Sequence, residues 1–301
     1  MPQRLQTLRG ESARVYFAYD NPAEIPAKES GWTRFVCLSD THSNTHWDKD
    51  GRMPRGDVLL HAGDLSRWGH VRMLKKTIDW LGNLEGYGSK IIIAGNHDVS
   101  YFSTDSSELM NLITIKLWLD KANEEELARV DDEQRAIALK ECEEMMDKAR
   151  LKERGLTYLE FEETKIGVSG IKEWAVYGSP ASPRYSEGSF QYSTKEEAQE
   201  INSKIPHLTE ILLTHTPPYG TLDKTRKDKH AGCKNLAKLL LSGDLSRCRL
   251  HVFGHIHEAA GVMIIPATER TPERVAVNAA LPRKGQPIVV DLAAWEIDKQ
   301  Q

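Results

Sequence analysis

The stretch RLHVFGHIHE, Arg249 to Glu258, decides how this chain is read. A short apolar run stops at Gly254, and two histidines follow it, one residue apart. On a strand, residues two apart share a face. His255 and His257 are therefore expected to present two imidazoles to the same place. Imidazole is the side chain most often used to bind metal. The plain alternative is a polar strand end that happens to hold two histidines, and the rest of the chain has to choose between them.

Four other stretches repeat the pattern: RFVCLSDTH, DVLLHAGD, KIIIAGNHD and EILLTHTPP. Each is a run of mostly Val, Ile and Leu, as in strands buried on both faces. Helical patterns lie between several of them, at Trp68 to Leu84 and Cys233 to Leu241. Strands alternating with helices predict an α/β layered fold. The segments KIGVSGIKEWAVYGSP, GVMIIPA, ERVAVNAA and QPIVVDL have turn signals but no room for helices between them. They are expected to form antiparallel strands of a second sheet, giving two stacked mixed sheets with helices outside.

All five buried runs end in polar residues: Asp40 and His42; Asp64; Asn96, His97 and Asp98; His215; His255 and His257. In an α/β sheet, ligands bind beyond the carboxyl ends of the strands. The set contains no thiolate, and imidazole with carboxylate suits Zn, Fe or Mn. Asp40, His42, Asp64, Asn96, His215, His255 and His257 are too many ligands for one ion. They suit two ions about 3.5–4 Å apart that share a carboxylate, the clamp used in phosphoryl chemistry. A metal-bridging hydroxide would attack phosphorus in line, and a histidine would protonate the leaving oxygen. His97 fits that acid role, with Asp98 expected to orient its ring or raise its pKa. Two residues apart on a strand end, His255 and His257 are expected to reach different ions.

Length and composition agree with a soluble globular chain. The 301 residues are 40% hydrophobic and 28% charged, with net charge −4. That sign gives no support to binding of polymeric nucleic acid. Cys37, Cys142, Cys233 and Cys248 form no CxxC pair and are expected to be free thiols in a reducing compartment, hence a cytoplasmic protein. The first residues lack the apolar core of a signal peptide, and no run is long enough to span a membrane. From about 121 to 154 the chain is charged and helix-favouring. Ala138, Cys142, Met145 and Ala149 share a helical face there, Asp131 or Asp132 is a candidate N-cap, and Gly155 a C′ residue. The segment reads as an insertion with a solvated face, or a surface for a protein partner. Among the other histidines, His61 and His251 read as structural and His207 and His230 as surface residues. His46 and His70 are candidates to line the cleft, and Arg184 and Tyr185, on an expected loop, are candidates to contact a substrate phosphate or base.

The ordered set Asp40-Thr41-His42, Gly63-Asp64, Gly95-Asn96-His97-Asp98, His215 and Gly254-His255-Ile256-His257 resembles the calcineurin-like metallophosphoesterases, with no motif residue missing. A finer resemblance, carried by GDVLLHAGDLS, VYGSP, ILLTHTPPYGTLD, HVFGHIHE and PIVVDL, is to metallophosphoesterase-domain-containing proteins related to class III cyclic-nucleotide phosphodiesterases. The resemblance implies a four-layer αββα sandwich over 33–292, with an N-terminal extension at 1–32 and a C-terminal tail at 293–301. It implies one metal on Asp40, His42, Asp64 and His257. A second would sit on Asp64, Asn96, His215 and His255, with Asp64 bridging and His97 facing the phosphate. The activity implied is hydrolysis of a small phosphoester. A phosphodiester, possibly a cyclic nucleotide, comes first; a phosphomonoester, or a metal-binding scaffold with little catalysis, is the alternative.

Overall fold

A computed structural model describes residues 5–49, 51–67, 69, 71–98, 140–142, 144–168, 170–185, 188–281 and 285–294. One sheet has seven strands in the order β1 (Gln6–Arg9), β2 (Ala13–Phe17), β15 (Ile288–Ala293), β3 (Trp32–Leu38), β4 (Val58–Ala62), β5 (Ser89–Ile93) and β6 (Thr157–Tyr158). From β3 to β6 the strands run parallel, and β15 lies antiparallel between β2 and β3. The second large sheet has six strands: β13 (Gly261–Ile265), β14 (Arg274–Asn278), β12 (Leu250–Phe253), β11 (Ile211–Thr214), β8 (Lys172–Ser179) and β7 (Glu162–Val168). Its four central strands are parallel and its two edge strands antiparallel. Both large sheets are mixed, as expected. A small two-stranded sheet pairs β9 (Ser182–Pro183) with β10 (Gln191–Tyr192), and the one-turn α1 (His46–Lys49) follows β3.

Strand alternation sorts the apolar residues into layers. Phe35, Cys37, Leu60 and Ile91 of the first sheet meet Trp174, Val176, Leu213 and Val252 of the second in one core between the sheets. The opposite face of the first sheet, with Leu59 and Ile92, packs on Leu74, Ile78 and Leu81 of α2 (Val71–Asn83) and on Leu151 of α3 (Lys148–Glu153). The opposite face of the second, with Tyr177 and Leu212, packs on α4 (Lys195–Ser203) and α5 (Lys234–Ser242). Helix, sheet, sheet, helix is the four-layer αββα sandwich.

The five buried runs are β3, β4, β5, β11 and β12, split three to two between the sheets. The later segments differ from expectation. KEWAVYGS and RVAVN lie parallel to β11 and β12, and only their hairpin partners β7 and β13 run antiparallel. PIVVDL joins the first sheet instead, as β15. Its Ile288, Val290 and Leu292 enter the inter-sheet core, and Asp291 accepts two hydrogen bonds of 2.7 Å from Arg34 directly across the pair. That fork fixes the register. The segment ahead of residue 33 supplies β1 and β2, strands not anticipated from the sequence.

Most of the charged stretch lies outside the described residues, including Ala138, Asp131 and Asp132, as does His70. In its described part Cys142 and Met145 pack against the α2 side of the core, whereas Ala149 is exposed. The shared face ends at Asp147, which caps α3 by accepting from the Arg150 amide. Gly155 follows α3 with φ +71°, as a C′ residue should. All four cysteines are free and buried. No described helix is long and apolar enough to cross a membrane.

Trp174 ties the sheets together at the end opposite the polar turns. It is fully buried, meets Phe35 edge-on at 5.6 Å, and its indole donates to Thr33 Oγ1 at 3.0 Å. Trp174→Ala should cost about 3–5 kcal/mol. Urea denaturation checks this, and a loss below about 1 kcal/mol would mean that this contact does not hold the sandwich.

Candidate metal centre

The five strand ends meet at one edge of the sandwich, where the two sheets abut. The backbone turns sharply there. Asp40 (φ 54°), His42 (45°), Asp64 (54°) and His255 (67°) all occupy the left-handed region. Such conformations cost non-glycine residues about 1–3 kcal/mol each and gather at functional sites. Two glycines allow the strand ends to close on one another. A Cβ on Gly95 would meet the Asp64 carboxylate and amide, and one on Gly254 would fall on Asp40 and Ser39. The glycines of GNHD and GHIH are thus set by the neighbouring carboxylates.

Asp40, His42, Asp64 and His257 each offer a ligand atom, and these atoms lie within 4.8 Å of one another. His257 Nε2 is 3.1 Å from Asp40 Oδ1 and 3.3 Å from His42 Nε2, which is 3.7 Å from Asp64 Oδ2. The other oxygen of Asp64 faces elsewhere, with His215 Nε2 at 3.4 Å from Oδ1. Asn96 Oδ1 joins this second group, 2.9 Å from His215 Nε2 and 2.8 Å from His255 Nδ1. Asp64 therefore turns one oxygen to each group.

His255 and His257 face different groups, and strand geometry is not what separates them. Strand β12 ends at Phe253, so neither residue is on a strand. The left-handed turn at His255 and the short 3₁₀ turn from His257 to Ala259 send the rings apart. Asp40 holds the turn by accepting from the His255 amide at 3.0 Å.

The donor chemistry fits metal cations. His215 Nδ1 is 3.0 Å from the Ala62 carbonyl and His42 Nδ1 is 3.2 Å from the Ser66 carbonyl. Each carbonyl accepts from Nδ1–H, so in the neutral rings Nε2 carries a lone pair. Both lone pairs are directed into the site, where a cation can be coordinated, and carbonyls behind histidine ligands are the usual support. Burial lowers the His42 pKa to about 4 and that of His255 to about 3, keeping both rings neutral and able to bind metal. Burial and the adjacent Asp40 charge push the Asp64 carboxyl well above its usual range. Burial opposes the Asp40 charge too, but the His257 hydrogen bond and the nearby histidines outweigh it and hold Asp40 well below that range. The same hydrogen bond raises His257 to about 9.

His97 stands at the open side. Its backbone amide donates to Asp64 Oδ1 at 2.8 Å, and its Nδ1 lies 2.9 Å from the Arg67 carbonyl. Its Nε2 comes within 4.0 Å of Asp64 Oδ2. The carbonyl orients this ring, a role expected of Asp98. The Asp98 carboxylate is buried and accepts instead from the amides of Leu65, Ser66 and Gly95, at 2.8–2.9 Å. Asp98 clamps the loop after β4 to the loop after β5.

Two positioning residues were not read from the sequence. Asn278, at the end of β14, donates to the carbonyls of Leu222 and Ile256 and so holds the turn between the two histidines. An asparagine closing the apolar run RVAVN was the available signal. His61 lies 2.9 Å from Thr41 Oγ1, between Asp40 and His42, so its structural reading includes bracing the site. His46 stacks on Trp47. Tyr185 is exposed, on a loop whose Ser189 amide donates to the Asn96 carbonyl.

A sequence profile described as calcineurin-like phosphoesterase matches residues 33–259. Human metallophosphoesterase domain-containing protein 1 is 34% identical over 276 residues, covering 90% of this chain and 74% of that protein. A probable rhamnogalacturonate lyase C of Emericella nidulans is 31% identical over 77% of this chain but only 18% of its own length. A crystal structure of a dimetal phosphatase from Danio rerio aligns with 86% of this chain and 91% of its own, at 9% identity and a TM-score of 0.41, too low to carry an argument. The profile and the human relative are decisive: this chain belongs to the calcineurin-like phosphoesterases, a family of metal-dependent phosphoester hydrolases.

Proposed function

We propose that the chain hydrolyses a small phosphodiester at two metal ions held by the strand ends, within one domain to which β1 and β2 also belong. One observation carries the reading: Asp64 turns its two oxygens to two separate ligand groups. Asp40, His42, Asp64 and His257 would hold one ion, and Asp64, Asn96, His215 and His255 the other. Mn, Fe and Zn all suit this donor set. When bound, two such ions supply a water ionised near neutral pH and offset the charge on the phosphoryl oxygens. Four buried free thiols agree with a reducing, cytoplasmic setting.

The protein's own groups do the rest. His97 is the proton donor. With Nδ1–H committed to the Arg67 carbonyl, its protonated form presents Nε2–H to the leaving oxygen. Asp98 acts indirectly, keeping the His97 loop in register with Asp64 through three amide hydrogen bonds. The His97 amide bound to Asp64 fixes acid and shared carboxylate relative to each other. Arg184 and Tyr185, exposed on the loop against Asn96, would contact the rest of the substrate.

His97→Ala should lower turnover on alkyl phosphodiesters by roughly 10²–10⁴ while metal content stays as in the parent. The loss should shrink for bis-nitrophenyl phosphate, whose leaving group needs little protonation. A variant that loses metal, or one equally impaired on both substrates, would contradict the acid role. Metal uptake should also depend on pH. With His257 at about 9, the empty site carries a proton there at neutrality. Loading must displace it, so affinity should rise with pH by up to about tenfold per unit below 9 and flatten above. Metal titrations from pH 6.5 to 9.5 measure this, and pH-independent affinity would remove His257 from the ligand set.

A further inference from the structure

Away from the metal centre, a cavity of about 60 Å³ opens on the outer face of the second sheet. Arg274 of β14 and His251 of β12 line it, and Ala237, Leu240 and Leu241 of α5 close it. Arg274 is 3% exposed and His251 1%. A buried guanidinium ordinarily sits against a carboxylate, because an uncompensated charge is expensive there. Arg274 has no ion pair among the described residues: Nη1 donates to the Leu240 carbonyl at 3.2 Å, and Nε–H is buried with no acceptor. The Cys248 thiol beside it is no counter-charge, since burial pushes it up to about 11.

His251 adds the second requirement. Thr214 Oγ1 spends its proton on the Thr216 carbonyl at 2.7 Å, so in its 2.8 Å contact with His251 Nε2 it can only accept. His251 is therefore protonated on Nε2, leaving Nδ1 as a lone-pair acceptor. That atom too is buried without a partner. The cavity thus offers one cationic donor and one neutral acceptor, with no carboxylate in its lining. Water would meet both hydrogen bonds but leave the charge uncompensated. A fully ionised anion would set a lone pair against Nδ1. An oxyanion that keeps a proton satisfies both, one oxygen accepting from Arg274 and an O–H donating to His251. A cavity of about 60 Å³ holds a few waters or one small oxyanion and is too small for a nucleotide or sugar phosphate. We propose that this cavity is a second anion site that takes hydrogen phosphate. Its contacts run through Thr214, the residue before His215, and it stands whichever ester the metal centre cleaves.

The test is equilibrium dialysis of metal-loaded protein against radiolabelled inorganic phosphate in excess sulfate, which cannot donate to Nδ1. Ala237→Leu, which fills the cavity from α5, should lower the phosphate count by about one per chain and leave hydrolysis unchanged. Arg274→Gln should do the same and Arg274→Lys should restore part of the binding. If Arg274→Gln does not fold, Ala237→Leu decides alone. An unchanged count in folded Ala237→Leu, or a crystal grown in saturating phosphate that shows only water beside Arg274, overturns the proposal.

Discussion

Two buried carboxylates, Asp40 and Asp64, sit within reach of four histidine nitrogens whose protons are in part already committed to backbone carbonyls. In a low-dielectric interior two such carboxylates need positive charge beside them, which the proton on His257 supplies only in part. Much of the surrounding structure serves to hold it. Left-handed residues bend the strand ends inward, the absence of a Cβ at Gly95 and Gly254 lets them touch, and Asp98 and Asn278 bind the loops by their amides and carbonyls. The αββα sandwich supplies the rigidity against which this strain is stored, through a continuous core between the two sheets.

The division of the site follows from the division of the fold. The candidate ligands follow β3, β4 and β5 of one sheet and β11 and β12 of the other, so the cluster straddles the seam between two independently hydrogen-bonded sheets. Asp64 stands on the first sheet and His215 on the second, 3.4 Å apart at their nearest atoms. A small shift of one sheet against the other would open the site, and contacts such as Trp174 to Thr33 oppose that shift from the far end.

The convergence of Asp40, His42, Asp64, Asn96, His215, His255 and His257 was legible in the sequence because its signals are local. Each short apolar run ends in a glycine-marked polar turn, and five such ends in one chain specify a convergent site. The layers were legible for the same reason, since Val and Ile runs imply burial on both faces. Information carried by tertiary pairing was not. Nothing within PIVVDL says that its partner is β3 and not β14; the Arg34–Asp291 fork decides it. Strand periodicity suggested the separation of His255 from His257, but a left-handed turn produces it. Asp98 was placed on the His97 ring because it is adjacent in sequence, whereas its carboxylate is drawn to three amides left free by the neighbouring turns. The charge on Arg274 was invisible as a site because only the fold buries it without a counter-ion.

The central claim is that Asp64 is shared between two ions. Anomalous diffraction from a crystal of the metal-loaded protein tests it most directly. Two peaks are predicted, both bonded to Asp64, one also to Asp40, His42 and His257 and the other to Asn96, His215 and His255. A single peak, or two of which only one touches Asp64, would contradict it.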